Sequence, residues 1–310
     1  MIVVGGEALV DLVPDPSTVE GELGPLHPRL GGGPYNVAVA LGRLGAPAAF
    51  HARLSTDQLG DKLVERLGES RVRTELVQRG PEPTTLAVVG LGEGGAARYS
   101  FHTEGTAARF VEDVELPAET AALSLGTLGM VLEPGATVYE RALLREAERG
   151  RFIALDPNIR PELIADRDAY CERFESWLPS VGLLKLSVED ARWLAGDEDE
   201  FAALLRWQRL GPAAVVLTRG AEGISVLTAA GEVVTVPGVR AEVEDTIGAG
   251  DTVQAALLAW LHRSGALSDG GVRGLGRAEW ERCLEFAARA AAVTVARPGA
   301  DPPWADELAG

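Results

Sequence analysis

Residues 245–263 read Asp-Thr-Ile-Gly-Ala-Gly-Asp-Thr-Val-Gln-Ala-Ala-Leu-Leu-Ala-Trp-Leu-His-Arg, and the rest of the chain can be placed around them. Val253, Ala256, Leu257, Trp260 and Leu261 recur at the i, i+3, i+4, i+7, i+8 spacing of a helix. Ala255, Leu258 and Ala259 fill the other side, so the pattern predicts a helix over 250–263 that is buried nearly all round. Its first turn, Gly248-Ala-Gly-Asp-Thr252, is polar for the end of a buried helix. The leading N–H groups of a helix lack partners inside it, and the macrodipole makes that end positive. Glycines there let a phosphate come close to the backbone. Asp251 then has two readings. Either it caps the helix, as Asp commonly does, or it takes a proton from an attacking hydroxyl, since a carboxylate beside an anion cradle otherwise repels the anion.

A second glycine-rich turn stands near the start of the chain. Gly31-Gly-Gly-Pro-Tyr-Asn36 leads into Val37, Ala40, Leu41 and Leu44 at helical spacing, with Pro34 suited to the first turn and Gly45 and Pro47 to the end. Asn36 offers both a donor and acceptors beside the glycines. A tight strand-to-helix turn would account for the same string. Before it, Ile2 to Val10 reads as one buried strand ending at Asp11, which places Asp11 at the carboxyl edge where open α/β sheets bind ligands. A solvated loop acid is the plainer alternative.

D-T-x-G-A-G-D-T resembles the signature of ribokinase-like (PfkB) carbohydrate kinases, and G-G-x-x-x-N before an apolar helix resembles that family's other signature. The resemblance implies that Asp251 is the catalytic base and that the backbone of Gly248, Ala249 and Gly250 forms the anion hole. It implies that Asp11, Gly32, Gly33 and Asn36 bind sugar hydroxyls. The fold it implies is a ribokinase-like three-layer α/β/α domain with a mostly parallel central sheet, spanning 1–310, with a small β-strand lid.

The strand and helix pattern agrees with that fold. Thr85–Leu91 and Ala97–His102 alternate as strands around the turn signal Gly92-Glu-Gly-Gly95, with no helix between them, so they pair antiparallel outside any βαβ body. The resemblance makes them, with part of 12–30, the lid; the inserted stretches are about 12–30 and 74–108. Phe101 is the lid residue placed on the substrate, whereas His102 reads as solvent-facing. From residue 120 onward, strands alternate with helices of 10 to 15 residues, which means a parallel sheet covered on both faces.

Three further strings bear on the site. Asp156-Pro-Asn-Ile-Arg-Pro161 follows a buried strand and resembles a segment of the fructokinase and ketodeoxygluconate kinase branch; Arg160 either reaches substrate with its planar fork or makes a structural ion pair. Leu184-Lys-Leu-Ser-Val-Glu-Asp190 sits where the family carries N-x-x-E. The resemblance puts Lys185 and Ser187 on the nucleotide side and Asp190 or Glu189 on Mg²⁺ through water. A Ser N-cap with acids in the first turn explains the same residues. Leu217-Thr-Arg-Gly-Ala-Glu-Gly223 resembles the nucleotide-side turn, which adds Thr218, Gly220, Gly223 and Gly250 to the ATP contacts. A monovalent cation, K⁺, is a family expectation around Asp245 and Ile247.

Composition excludes several classes. A formal net charge of −17 over 310 residues argues against nucleic acid and anionic membranes, which recruit clustered Lys and Arg. No uncharged run approaches the roughly 18 residues of a membrane span. The start of the chain lacks a basic region and carries acids early, so it does not read as a signal peptide. Cys171 and Cys283 cannot make a disulfide framework, which fits a reducing cytoplasm. There is no G-x-x-x-x-G-K-[ST] and no metal-ligand spacing of His and Cys.

The expected activity is therefore ATP-dependent phosphorylation of a primary hydroxyl on a small neutral sugar, with fructose first. Ribokinase, 2-keto-3-deoxygluconate kinase and nucleoside kinase are alternatives, and a catalytically silent sugar- or nucleotide-binding protein is the rival from another class. Glu104, in the lid stretch Phe101-His-Thr-Glu-Gly105, is expected to repel an acid sugar. Dimers through the lid are a family expectation.

Overall fold

Consecutive residues of a strand face opposite ways, and in this chain both ways lead to a core. Ile2 and Val4 join one apolar cluster while Val3 joins another. Phe152 and Ala154 likewise separate from Ile153 and Leu155. A sheet buried on both faces follows, with helices packed on each. The computed structural model describes residues 1–15, 17, 24–91 and 97–308.

Among the described residues, the central sheet has nine strands. Taken in chain order they are β1 (Ile2–Gly5), β4 (Ala48–Ser55), β5 (Val77–Gly80), β8 (Ala122–Gly126), β9 (Phe152–Asp156), β10 (Leu183–Ser187), β11 (Ala214–Thr218), β12 (Ile224–Thr228) and β13 (Val233–Val236). Their order across the sheet is β13-β12-β11-β10-β9-β8-β1-β4-β5. Every pair from β11 to β5 is parallel; β12 and β13 close one edge as an antiparallel meander. One face carries α1 (Gly33–Arg43), α2 (Gln58–Glu69), α7 (Ala249–Arg263), the short α8 (Asp269–Arg273) and α9 (Arg277–Val295). The other carries α3 (Gly135–Glu148), α4 (Arg167–Trp177), α5 (Val188–Ala195) and α6 (Glu200–Leu210). This is the three-layer α/β/α arrangement with a mostly parallel sheet.

A separate four-stranded sheet, in the order β3-β2-β6-β7, lies outside that body. It is built from β2 (Leu9–Pro14), β3 (Leu26–Gly31), β6 (Thr85–Leu91) and β7 (Ala97–His102). β6 and β7 pair antiparallel, and β2 joins β6 in parallel. The turn signal at 92–95 lies outside the described residues.

The opening of the chain differs from the sequence reading. Ile2 to Val10 is not one strand: β1 ends at Gly5, and β2 starts at Leu9 in the other sheet. Gly6 has φ +148°, and a Cβ on it would lie 2.3 Å from Pro34 at the start of α1. The chain can turn there only because Gly6 has no side chain. Asp11 consequently sits inside β2 rather than beyond the main sheet's carboxyl edge.

α7 matches its pattern. From Asp251 to Leu261 every residue is buried except Trp260, because the helix packs between α1 and α9. Cys283 is a core residue of α9. Among the described residues, no helix is long and apolar enough to cross a membrane.

Candidate active site

α1 and α7 begin beside each other, and this brings the two glycine-rich turns together. α7 has Gly248 as its N-cap, in the left-handed region at φ +78°, and no side chain caps it. A Cβ on Gly248 would stand 2.6 Å from that of Ala300, so the turn is both twisted and closely packed. Asp251 is in the first turn, yet its carboxylate does not cap. It accepts a hydrogen bond of 2.9 Å from Asn36 Nδ2, across a sequence separation of 215, with both side chains buried. Pro34 opens α1, and the Asn36 N–H donates to the Gly32 carbonyl, which fixes the asparagine in the first turn. Burial raises the pKa of Asp251, while the Asn36 hydrogen bond and the charges of Lys185 and Arg160 oppose the rise.

These residues line a cavity of about 220 Å³. Of the residues expected to meet sugar, Asp11, Gly32, Gly33, Asn36, Phe101 and Arg160 all face it, as do Ile247, Gly248, Gly250 and Asp251. Asp11 is pushed up to about 7, first by burial and then by the Asp251 charge, with Arg160 pulling the other way. Arg160 makes no ion pair among the described residues; its Nη1 donates to the Asn158 side chain and to the carbonyls of Asn158 and Ile159. Phe101 stacks on Tyr99 with ring centres 5.8 Å apart and planes 14° apart, giving the cavity an aromatic wall from the small sheet.

Glu7, Thr127, Asn158 and Tyr99 are among the lining residues that were not singled out from the sequence. Glu7, in the link between β1 and β2, accepts the N–H groups of Gly33 (3.1 Å) and Gly129 (2.9 Å). Burial pushes its carboxyl up to about 8. The glycine pair that breaks the strand was the only signal for it. Thr127 and Asn158 follow β8 and β9, both at positive φ (52° and 40°), and Asn158 donates to Thr127 at 3.2 Å. Asn158 was visible inside the D-P-N string; Thr127 and Tyr99 carried no distinguishing mark.

A second cavity, of about 440 Å³, adjoins the first and shares Thr246 and Gly250 with it. Thr218, Gly220, Gly223 and Ala249 line it, and Val253, Ala288, Ala291 and Val295 give it an apolar wall from α7 and α9. The expected nucleotide residues thus divide. Lys185 and Ser187 do not line this cavity. Lys185 is buried in an ion pair of 2.7 Å with Asp156, and its Nζ lies 3.0 Å from where a Gly250 Cβ would be. Its position is beneath the α7 turn. Burial draws the Lys185 pKa down, but the Asp156 charge prevails and holds it above the ordinary value. Burial pushes Asp156 up to about 6 against that ion pair.

The stretch expected to serve Mg²⁺ through water forms a helix cap. Ser187 and Asp190 bond reciprocally at the start of α5, and Asp190 also accepts the Ile159 N–H at 2.7 Å. Three donors therefore occupy its carboxylate, and Glu189 is exposed. Among the described residues, no group of three or more His, Cys, Asp or Glu is placed to hold a metal. Asp245 fastens the loop before α7, accepting the N–H groups of Ile247 (3.0 Å) and Gly299 (2.9 Å).

The expectation for Glu104 is overturned. Its carboxylate is exposed and ion-paired with Arg109, and it does not line the sugar-side cavity. The acids that face this cavity are Glu7, Asp11 and Asp251, against one guanidinium, Arg160.

Residues 1–307 match the family described as pfkB family carbohydrate kinase. A fructokinase from Rhizobium leguminosarum bv. trifolii is 41% identical over 273 residues, covering 86% of this chain and 82% of the relative. Among solved structures, a fructokinase from Xylella fastidiosa with bound ATP superposes with a TM-score of 0.86 at 26% identity, covering 99% of this chain and 96% of that one. A fructokinase from Vibrio cholerae O395 with fructose, ADP and calcium bound gives 0.81 at 25% identity, with 96% and 94% covered.

Proposed function

This chain belongs to the pfkB family of carbohydrate kinases, and from that premise we propose that it phosphorylates a primary hydroxyl of fructose with Asp251 as the base. It is an ATP-dependent sugar kinase, a phosphotransferase with an alcohol acceptor. The observation that carries the residue assignment is the hydrogen bond from Asn36 to Asp251, which joins the sugar-side turn to the base, one residue after Gly250, which lines both cavities.

The chemistry follows from the geometry. Sugar occupies the cavity of Asp11, Asn36 and Arg160, with Tyr99 and Phe101 against its apolar face. The small sheet that supplies these rings acts as a lid, and its open edges, β3 and β7, are where a second copy would pair. ATP occupies the apolar cavity between α7 and α9, so that its phosphates reach Gly248, Ala249 and Gly250. Asp251 takes the hydroxyl proton as the oxygen attacks the γ-phosphoryl group. The uncapped N–H groups of the first turn of α7 then stabilise the charge on the transferred group.

A raised pKa suits Asp251 to this work, because a stronger base accepts the proton more readily. Mg²⁺ bound to the nucleotide would supply further charge neutralisation. With Asp190 engaged as a cap, the phosphates rather than a protein cage would hold that ion. Each oxygen of Asp245 accepts one N–H and keeps a second lone pair, so Asp245, with Ile247, fits a monovalent cation such as K⁺. Asp11 and Asp251 balance Arg160 across this cavity and leave no surplus positive charge for an acid sugar, which favours a neutral sugar and places 2-keto-3-deoxygluconate behind fructose and ribose. The reaction is assigned to the cytoplasm, where ATP is available.

An ADP-release assay over fructose, ribose, 2-keto-3-deoxygluconate and adenosine tests the substrate. ADP release with none of them would revive the silent-binder reading. Asp251→Asn should lower kcat by roughly 10²–10⁴ and leave the fold intact; an unchanged kcat removes the base assignment.

A further inference from the structure

Adjoining the sugar cavity, and sharing Gly33, Thr127 and Asp251 with it, lies a small pocket lined almost wholly by buried residues. Its volume is about 10 Å³, close to the roughly 10–15 Å³ that one water needs. Asp251 lines it, together with Ser124, Asp156 and Gln254. Gln254 lies three residues after Asp251 on α7 and so shares its face of the helix.

Two acceptors in this pocket lack a partner. Asp156 gives one oxygen to Lys185, but its Oδ1 is bonded to nothing among the described residues. Gln254 is completely buried; its Nε2 reaches Ser124 Oγ at 3.4 Å, and its Oε1 has no partner among the described residues. Buried polar atoms are rarely left unbonded. Two orphan acceptors on the walls of a water-sized pocket require something that donates twice, and water does so.

We propose that one ordered water bridges Asp156 and Gln254 beside the catalytic carboxylate, and that these two residues thereby act as positioning residues that strengthen Asp251 as a base. The inference rests on the reading of Asp251 given above. With both hydrogens committed to Asp156 and Gln254, the water turns only lone pairs towards Asp251. Lone pairs disfavour the carboxylate and accept a hydrogen bond from the carboxylic acid. When the sugar O–H breaks and the proton passes to Asp251, the negative charge that those lone pairs oppose is neutralised. The state before the transfer is thereby raised relative to the state after it.

The test is Gln254→Met, which keeps the volume and removes the acceptor. The freed water hydrogen then turns to the Asp251 carboxylate and favours its ionised form. The acid limb of kcat/KM against pH should move about one pH unit lower, and kcat on the plateau should fall by roughly 3–10-fold, with the KM for sugar unchanged. A purely structural role would not move the limb, so an unmoved limb overturns the proposal. A high-resolution crystal structure of the unaltered enzyme provides the second reading, independent of whether the variant folds. Water within hydrogen-bond distance of both Asp156 Oδ1 and Gln254 Oε1 is expected; its absence overturns the proposal. Asp251→Asn run in parallel separates the two levels. If that variant keeps its kcat, the base assignment itself fails, whereas loss there with an unmoved Gln254→Met limb removes only this inference.

Discussion

Asn36→Ala isolates the contact that joins the two halves of the site. Asn36 Nδ2 stands 2.9 Å from Asp251 Oδ2, and both side chains are buried, so water does not replace the donor freely once it is removed. A hydrogen bond to a charged group contributes about 1.5–3 kcal/mol, and one pKa unit corresponds to about 1.4 kcal/mol. The bond favours the ionised form of Asp251 and opposes the effect of burial. Its loss should therefore raise the pKa by about 1–2 units, keeping the base protonated to higher pH. In a coupled ADP assay at saturating ATP, the acid limb of kcat/KM for fructose should move up by that amount. The rate should fall by about 10–100-fold below the limb and recover above it. This is opposite in sign to the shift expected for Gln254→Met. A higher KM with the limb in its original place would refute the reasoning, because Asn36 would then serve only to hold sugar.

Three further perturbations probe the supports of the site. Lys185→Met leaves Asp156 as an unpaired buried charge, which should cost about 3–5 kcal/mol in urea unfolding at pH 8. The cost should shrink at pH 5, where Asp156 takes up a proton and no longer needs its partner; a loss that is the same at both pH values contradicts the ion-pair account. Gly248→Ala forces a side chain into the left-handed region, a cost of about 1–2 kcal/mol before its contact with Ala300 is counted. Both stability and kcat should fall, and a variant with wild-type kcat would detach the turn from catalysis. Glu7 has a folded pKa raised from 4.5 to about 8, so the folded state retains a proton that the unfolded chain releases. Its contribution to stability is accordingly greatest below about 4.5 and is lost as pH rises towards 8. Glu7→Gln, which cannot ionise, should flatten the fall in stability between those limits, and parallel unfolding curves for the two proteins would disprove the assignment.

The elements of the main body were legible because their residues are patterned by burial alone. The strands alternate between two cores, and α7 is apolar all round because α1 and α9 enclose it. Ile2 to Val10 misled for the same reason: an apolar run does not say which sheet it belongs to, and the change of sheet at Gly6 depends on Pro34, which comes 28 positions later. The site was legible where backbone freedom left a glycine signature, at Gly32–Gly33 and Gly248–Gly250. It was illegible where two ordinary residues acquire a role by meeting. Lys185 and Asp156 are 29 positions apart and become an ion pair only because β9 and β10 are neighbours. Glu104 failed in the other direction. Its place in the lid stretch suggested that it faces substrate, but the chain after β7 turns it towards Arg109.

The acidity of this chain bears on how it can handle a polyanion. Glu7, Asp11, Asp156 and Asp251 are all shifted upward, and burial is the first cause in each case. A phosphate arriving at Gly250 adds negative charge close to Asp251 and raises its pKa further, since like charges disfavour ionisation. If Asp251 is the base, as proposed, it would gain strength when the second substrate is present. Such a gain is useful only if the anion can approach at all. The fixed positive potential comes from the amides at the start of α7, since Lys185 beneath the turn is balanced by Asp156, and those amides do not depend on the net charge of −17. On the proposed function, phosphate binding and proton abstraction would draw on one short turn, and the Asn36 contact and the proposed water would act on Asp251 with opposite sign.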